Sequence, residues 1–142
     1  MEDVELPELS GIRFPEMRRN VISAVRALAD GEYQRRVWIE RIYPNEGYYD
    51  DFTLNLNILY DDTLVLDDPV STLGTVLRSE SEVVAMVELG SAIDEALRLE
   101  GDGKVDADYL ASPSWAAVLR AASAAYETLT QDPQMGEARG RG

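Results

Sequence analysis

Carboxylates and tyrosines make up most of the side chains in this sequence that could do chemistry. Acidic pairs stand at Asp50-Asp51, Asp61-Asp62 and Asp67-Asp68. Neighbouring carboxylates can hold magnesium or split their pKa values for acid–base work, and an Asp–Glu glycosidase-type mechanism is one such use. The plainer reading is that Asp punctuates turns at the ends of extended segments. The chain has no cysteine and no histidine. That removes disulfides, thiolate nucleophiles, Cys-type zinc and iron–sulfur sites, the commonest general base, and the Ser-His-Asp and Cys-His constellations. With a single lysine, Lys104, the carboxylates would have to carry almost any reaction.

Two further groups stand out as binding candidates. The loop Tyr43-Pro44-Asn45-Glu46-Gly47-Tyr48-Tyr49 holds three of the seven tyrosines and runs straight into Asp50 and Asp51. Exposed tyrosine is favoured at interfaces, because it offers large contact area at low entropy cost. The alternative is that these rings fold back as lids on the core. The second group is polar: Asn55 and Asn57, with Thr53, alternate against an apolar set, although Asn is disfavoured in strands. Trp38, Glu40 and Arg41 would be their neighbours on an adjoining strand, so the group is either a recognition face or a solvated sheet side.

The segment Glu100–Asp108 contains Gly-Asp-Gly-Lys-Val, like the centre of an EF-hand loop. Its ends fail: Arg98 and Tyr109 stand where a carboxylate and a bidentate Glu are needed. An acidic turn between helices is the expectation. No metal and no cofactor are expected.

These residues must be positioned by a mixture of elements. Pro15 suits a first helical turn, and Met17, Val21, Ala24, Val25 and Leu28 form one helical face. Asp30-Gly31 is the expected stop. Residues 36–43 are β-branched and aromatic and read as a strand. Phe52, Leu54, Leu56, Ile58 and Tyr60 alternate with polar residues and read as a second strand, with Leu54 and Leu56 inward and Asn55 and Asn57 outward. A short third strand is expected over 63–66, and a short helix around Val70, Leu73, Val76 and Leu77. Ser79 and Glu82 fit a capping box for a helix running to about Glu100. Its expected core face is Val83, Met86, Val87, Gly90, Ile93 and Leu97. Ser112 and Pro113 signal a last helix carrying Trp115, Val118, Leu119, Ala122, Tyr126 and Leu129. The expected fold class is α+β: a small antiparallel sheet of two to three strands covered on one face by about four helices, in the order α-β-β-(β)-α-α-α. One domain is expected over 1–130, opening with a polar arm (1–11), with a disordered tail over 131–142.

The formal charge is -14 and unevenly placed. Residues 1–45 carry 7 basic and 8 acidic side chains, 46–110 carry 3 and 16, and 111–142 carry 3 and 3. The acidity therefore sits in the middle, and such a field repels nucleic acid and anionic membranes. Arg13, Arg18, Arg19, Arg26, Arg35, Arg36 and Arg41 all fall in the first third, where the protein's own carboxylates are their expected partners. The acidic N-terminus lacks an apolar leader and no stretch is long enough to span a bilayer, so a cytoplasmic location is expected.

The run RVWIERIYPNEGYYDDFTLNLNILYDD (36–62), followed by VLRSESEVVAM (76–86), resembles an uncharacterised family of short acidic proteins from actinomycete-type bacteria. The likeness spans roughly residues 12–130. It implies a bacterial cytoplasmic source and a single domain, and it carries no assigned activity or site residue.

The functional expectation is a non-enzymatic acidic protein-interaction or regulatory module, such as an adaptor or an antitoxin-like inhibitor. Its partner would be a protein with a basic surface, met through Tyr43, Tyr48, Tyr49, Asp50 and Asp51. Tyr48→Ala and the Asp50/Asp51 to Asn pair are expected to alter binding while leaving folding intact. The alternative is a carboxylate-dependent enzyme or small-ligand binder using Glu40, Asp50, Asp51, Asn55 and Asn57. Oligomeric state is open.

Overall fold

The computed structural model of the chain describes residues 12–101 and 103–131. The polar arm and, but for Gln131, the C-terminal tail lie outside the described residues. Every regular element among the described residues is helical: α1 (Pro15–Ala29), α2 (Gly31–Tyr33, continuing as a π-helical turn Gln34–Ile39), α3 (Phe52–Asn57, continuing as a π-helical turn Ile58–Asp62), α4 (Glu80–Glu100), α5 (Asp106–Leu110) and α6 (Trp115–Thr130). The expected α+β class with an antiparallel sheet is therefore wrong. The described residues hold no strand, and the one β-type contact is an isolated bridge between Leu73 and Leu77.

The first half of the segment expected as the first strand, 36–39, is wound into the continuation of α2 because its apolar residues also fit a helix, and 40–43 are irregular. Asp30 caps the turn by accepting from the Tyr33 N–H at 3.0 Å. Gln34, Val37 and Trp38, spaced i, i+3, i+4, are buried. Gly31 opens this helix instead of closing α1 in a left-handed cap. The second expected strand becomes α3 by the same logic. Asp51 caps it, with Oδ1 accepting from the Leu54 N–H at 2.8 Å. Phe52, Asn55 and Leu59 are buried, whereas Leu54 is 38% exposed. The inward Leu54 and outward Asn55 of the strand reading are thus reversed. The third strand, 63–66, is an irregular turn, and the expected helix around Val70 is a single 3-10 turn, Pro69–Thr72.

Both short helices end alike. A backbone N–H reaches five residues back, Glu40 to Arg35 and Thr63 to Ile58, and a non-glycine residue in the left-handed region follows: Arg41 (φ 60) and Leu64 (φ 64). A left-handed L-residue costs about 1–2 kcal/mol. The surrounding bonds, such as Ile42 N–H to the Arg36 carbonyl at 2.9 Å, hold it there.

The long helices form the scaffold. α6 packs against both α1 and α4, burying Val118, Ala122, Ala125 and Leu129. It begins two residues later than expected, after a turn in which the Ser112 hydroxyl accepts from the Ser114 N–H. α4 starts at the expected Ser79 cap and ends at Gly101, whose φ of 93° suits glycine. Its buried face is rotated from the expected one: Ala85, Met86, Leu89, Gly90, Ile93 and Ala96 are buried, Val83 and Leu97 partly so, and Val87 is 51% exposed. Across the bundle, Arg18 and Glu82 form a buried bidentate ion pair at 2.9 and 2.8 Å. Arg18 also donates to the carbonyls of Val76 and Leu129, so α1, α4 and α6 are joined through one guanidinium.

Candidate functional site

Asp50 is the centre of the polar structure that α2 and α3 build. Its residue is 8% exposed, and a buried carboxylate is tolerable only when donors surround it. Three do. The Tyr33 hydroxyl and the Trp38 indole N–H donate to Oδ2 at 2.7 and 2.9 Å, and the Asn55 amide donates to Oδ1 at 2.9 Å. Asn55 gives its other proton to the Asp51 carbonyl at 2.8 Å. Tyr33 has one proton and spends it on Asp50, so at the 2.5 Å contact with Tyr48 it is Tyr48 that donates. The result is a directed chain, Tyr48 to Tyr33 to Asp50. Burial, then the bonds to Tyr48 and Asp50, push the Tyr33 phenol far above its ordinary range and keep it a donor.

Aromatic packing fixes this hub to the core. Trp38 stacks on Phe52 with centroids 6.0 Å apart, and both meet Trp115 edge-on. Trp115 donates to buried Gln34, which donates in turn to the Ala27 carbonyl.

Two depressions open on either side of the hub, and Asp50 and Tyr49 border both. The larger, about 400 Å³, is walled by α1, α2, α3 and the tyrosine loop; Arg26, Tyr33, Arg36, Tyr48 and Asn55 line it. The smaller, about 250 Å³, is lined by Trp38, Ile39, Arg41, Tyr43, Asp51, Val105 and Asp106 among others. Its rim is apolar and exposed: Ile39, Tyr49 and Val105 are 36%, 53% and 65% accessible. Asp106 accepts from the Phe52 N–H at 3.1 Å. Its carboxyl is held above the usual range chiefly by burial, with Asp51 adding to the rise and Arg41 opposing it. The Tyr49 hydroxyl donates to Asp51, and that bond is the main cause that pushes its pKa to about 12.

The structure thus brings together Trp38, Tyr43, Tyr48, Tyr49, Asp50, Asp51 and Asn55. Glu40 and Asn57 are exposed and border neither depression. The tyrosine loop is neither wholly lid nor wholly contact surface. Tyr43 and Tyr48 are half-buried against each other, and Tyr49 stands out. Tyr48 and Asp50 belong to the hub, so variants at these positions are expected to perturb folding as well as binding. Sequence reasoning missed Tyr33, Arg26, Arg36 and Asp106. Tyr33 carried one usable signal, its position three residues beyond the helix-capping Asp30.

Among the described residues no three carboxylates gather in a way that could hold a metal ion. Asp102, of the Gly101–Asp108 segment, lies outside them. No described helix is long and apolar enough to cross a membrane.

No curated protein and no solved structure is detectably similar to the chain. A family described as a domain of unknown function, DUF7945, matches residues 12–137, so the chain belongs to that family.

Proposed function

We propose that the chain is an acidic, cytoplasmic, non-enzymatic protein-recognition module whose contact surface centres on Tyr49 and the smaller depression. Its partner is a protein with a basic patch. The observation that carries this reading is the makeup of that depression: an exposed apolar rim of Ile39, Tyr49 and Val105 around Asp51 and Asp106. At about 250 Å³ it is smaller than the usual small-molecule pocket and suits a single side chain. An arginine or lysine entering it would lay its aliphatic stem on the rim and bring charge to Asp106, whose ionised form burial disfavours. The segment around it, residues 46–110, carries 16 acidic and 3 basic side chains, a field that speeds capture of a cationic partner. Asp50 and its donors supply rigidity, holding Tyr49 out from a fixed loop base.

Photo-crosslinking from position 49 tests the reading. A benzophenone side chain replacing Tyr49 should give a discrete protein adduct that weakens as salt is raised. The same group replacing Val87, exposed on α4 and outside both depressions, should not. Equal adducts from both positions, or none from position 49, would refute it.

A further inference from the structure

We propose that the larger depression is a binding site for a small aromatic carboxylate. The inference stands apart from the partner surface and rests on which polar groups of this cavity remain unused. Its volume of about 400 Å³ lies within the range of natural ligand pockets, roughly 300–1,000 Å³.

The buried carboxylate of the cavity is already satisfied. Asp50 takes donors from Tyr33, Trp38 and Asn55, while exposed Asp30, at the edge, takes the Tyr33 N–H on Oδ1 alone. The hydroxyl protons of Tyr48 and Tyr33 both run inward to Asp50. A cation pairing with Asp50 would therefore have to displace existing donors.

The basic side is not satisfied. Arg26 on α1 and Arg36 on α2 both line the cavity, and neither has a carboxylate within ion-pair distance among the described residues. Arg36 lies over the Tyr33 ring at 6.0 Å, which orients its planar fork. Two other arginines in the first third do pair, Arg18 with Glu82 and Arg19 with Glu16. Two unpaired guanidiniums facing one cavity favour a planar, bidentate anion. Local charge agrees, because residues 1–45 are nearly neutral, with 7 basic against 8 acidic side chains, while the acidity lies further along the chain.

The remaining wall selects a ring bearing a hydroxyl. Tyr33, Tyr48 and Tyr49 give aromatic lining, and Ala24, Ala27 and Ile58 an apolar floor. Asn55 is 3% exposed and uses both amide protons on Asp50 and Asp51, so its Oδ1 is left without a donor among the described residues. The Tyr48 oxygen likewise keeps acceptor capacity after donating to Tyr33. A phenolic hydroxyl opposite the carboxylate would meet these acceptors.

The test uses the whole chain and four probes at matched ionic strength: 4-hydroxybenzoate, benzoate, inorganic phosphate and benzamidine. Calorimetry and thermal melts should show saturable binding of 4-hydroxybenzoate, weaker binding of benzoate and none of benzamidine. Arg36→Gln and Arg26→Gln should each weaken 4-hydroxybenzoate about tenfold or more. Both side chains are exposed, so the unliganded melting temperature should hold for Arg26→Gln and fall only slightly for Arg36→Gln, which gives up its contact with the Tyr33 ring. Asn55 is part of the hub, so the hydroxyl preference is read from the 4-hydroxybenzoate to benzoate ratio and not from a variant. Binding of benzamidine in place of the carboxylates would overturn the inference, as would phosphate binding as tightly as 4-hydroxybenzoate, affinities unchanged in both Arg variants, or no binding at millimolar concentration.

Discussion

Removing the Asp50 carboxylate is the sharpest perturbation of the hub. Asp50→Ala leaves three donors behind. The Trp38 indole and the Asn55 amide, each on a residue 3% exposed, cannot turn to water. The Tyr33 hydroxyl can rotate towards Tyr48, 2.5 Å away. An unsatisfied buried donor costs about 1–3 kcal/mol, so the two trapped donors together predict a loss of about 2–6 kcal/mol. Asp50→Asn is nearly isosteric but does not restore the site. One amide oxygen can replace Oδ2 for Tyr33 and Trp38, and the new NH₂ then faces the Asn55 NH₂. Flipping Asn55 would set its oxygen against the Asp51 carbonyl, which it now bonds at 2.8 Å. The Asn variant should therefore lose about 1–3 kcal/mol, less than Ala but well above zero. Denaturant unfolding followed by tryptophan fluorescence measures both. A loss below about 1 kcal/mol for Asp50→Ala would refute the hub.

Four further outcomes follow from the packing and the titrations. Trp115→Ala should cost about 3–5 kcal/mol in denaturant unfolding, because it empties a large aromatic site and strands the Gln34 oxygen. Arg18→Met should cost about 3 kcal/mol by leaving Glu82 buried with its longer 3.8 Å ion pair to Arg78, and adding Glu82→Leu should recover part of it in a double-mutant cycle. Asp106 has a raised folded pKa, so folding favours its protonated form and its ionisation opposes folding as pH rises through that value. Asp106→Asn, which can still accept from Phe52, should therefore stabilise the protein at neutral pH, and the gain should disappear in acid. Tyr49 and Tyr60 are both pushed up to about 12, by the bond to Asp51 and by burial respectively. Their contribution is present below about pH 10 and should be lost as pH climbs from 10 through 12, read as a falling denaturant midpoint across that window.

The long helices were legible because their signals were local and redundant. Pro15 with the Val21-Ala24-Val25-Leu28 stripe, Ser79 with Glu82, and the Trp115–Leu129 stripe each repeat one message over several turns. Residues 52–60 were not legible, because apolar residues occupy both periods at once. Phe52, Leu54, Leu56, Ile58 and Tyr60 fit a strand, while Phe52, Leu56, Leu59 and Tyr60 fit a helix. Burial of Asn55 against Asp50, a contact between side chains, resolves the choice. The two asparagines, disfavoured in strands, were a signal against the strand. Residues 36–43 show tertiary packing overriding β-propensity: Val37 and Trp38 are buried with Gln34 on one helical face. The candidate site was legible as the cluster Tyr43–Asp51 because its residues are consecutive. Tyr33, Arg26, Arg36 and Asp106 come from other elements, and no local pattern joins them to Asp50. Arg41 carries no sequence sign of its left-handed backbone, which glycine would have announced.

The central functional claim is that Tyr49 and the charge around it make the contact with a basic protein. Binding kinetics with the partner recovered by crosslinking from position 49 test it most directly. Tyr49 is exposed and Glu46 and Asp108 are exposed, so variants there spare the hub. Tyr49→Ala should raise the dissociation rate by about thirtyfold, the effect of losing about 2 kcal/mol at an aromatic contact, with association little changed. Glu46→Gln combined with Asp108→Asn should slow association and flatten its salt dependence while leaving dissociation nearly unchanged. Wild-type rates for both variants, with wild-type folding, would contradict the account.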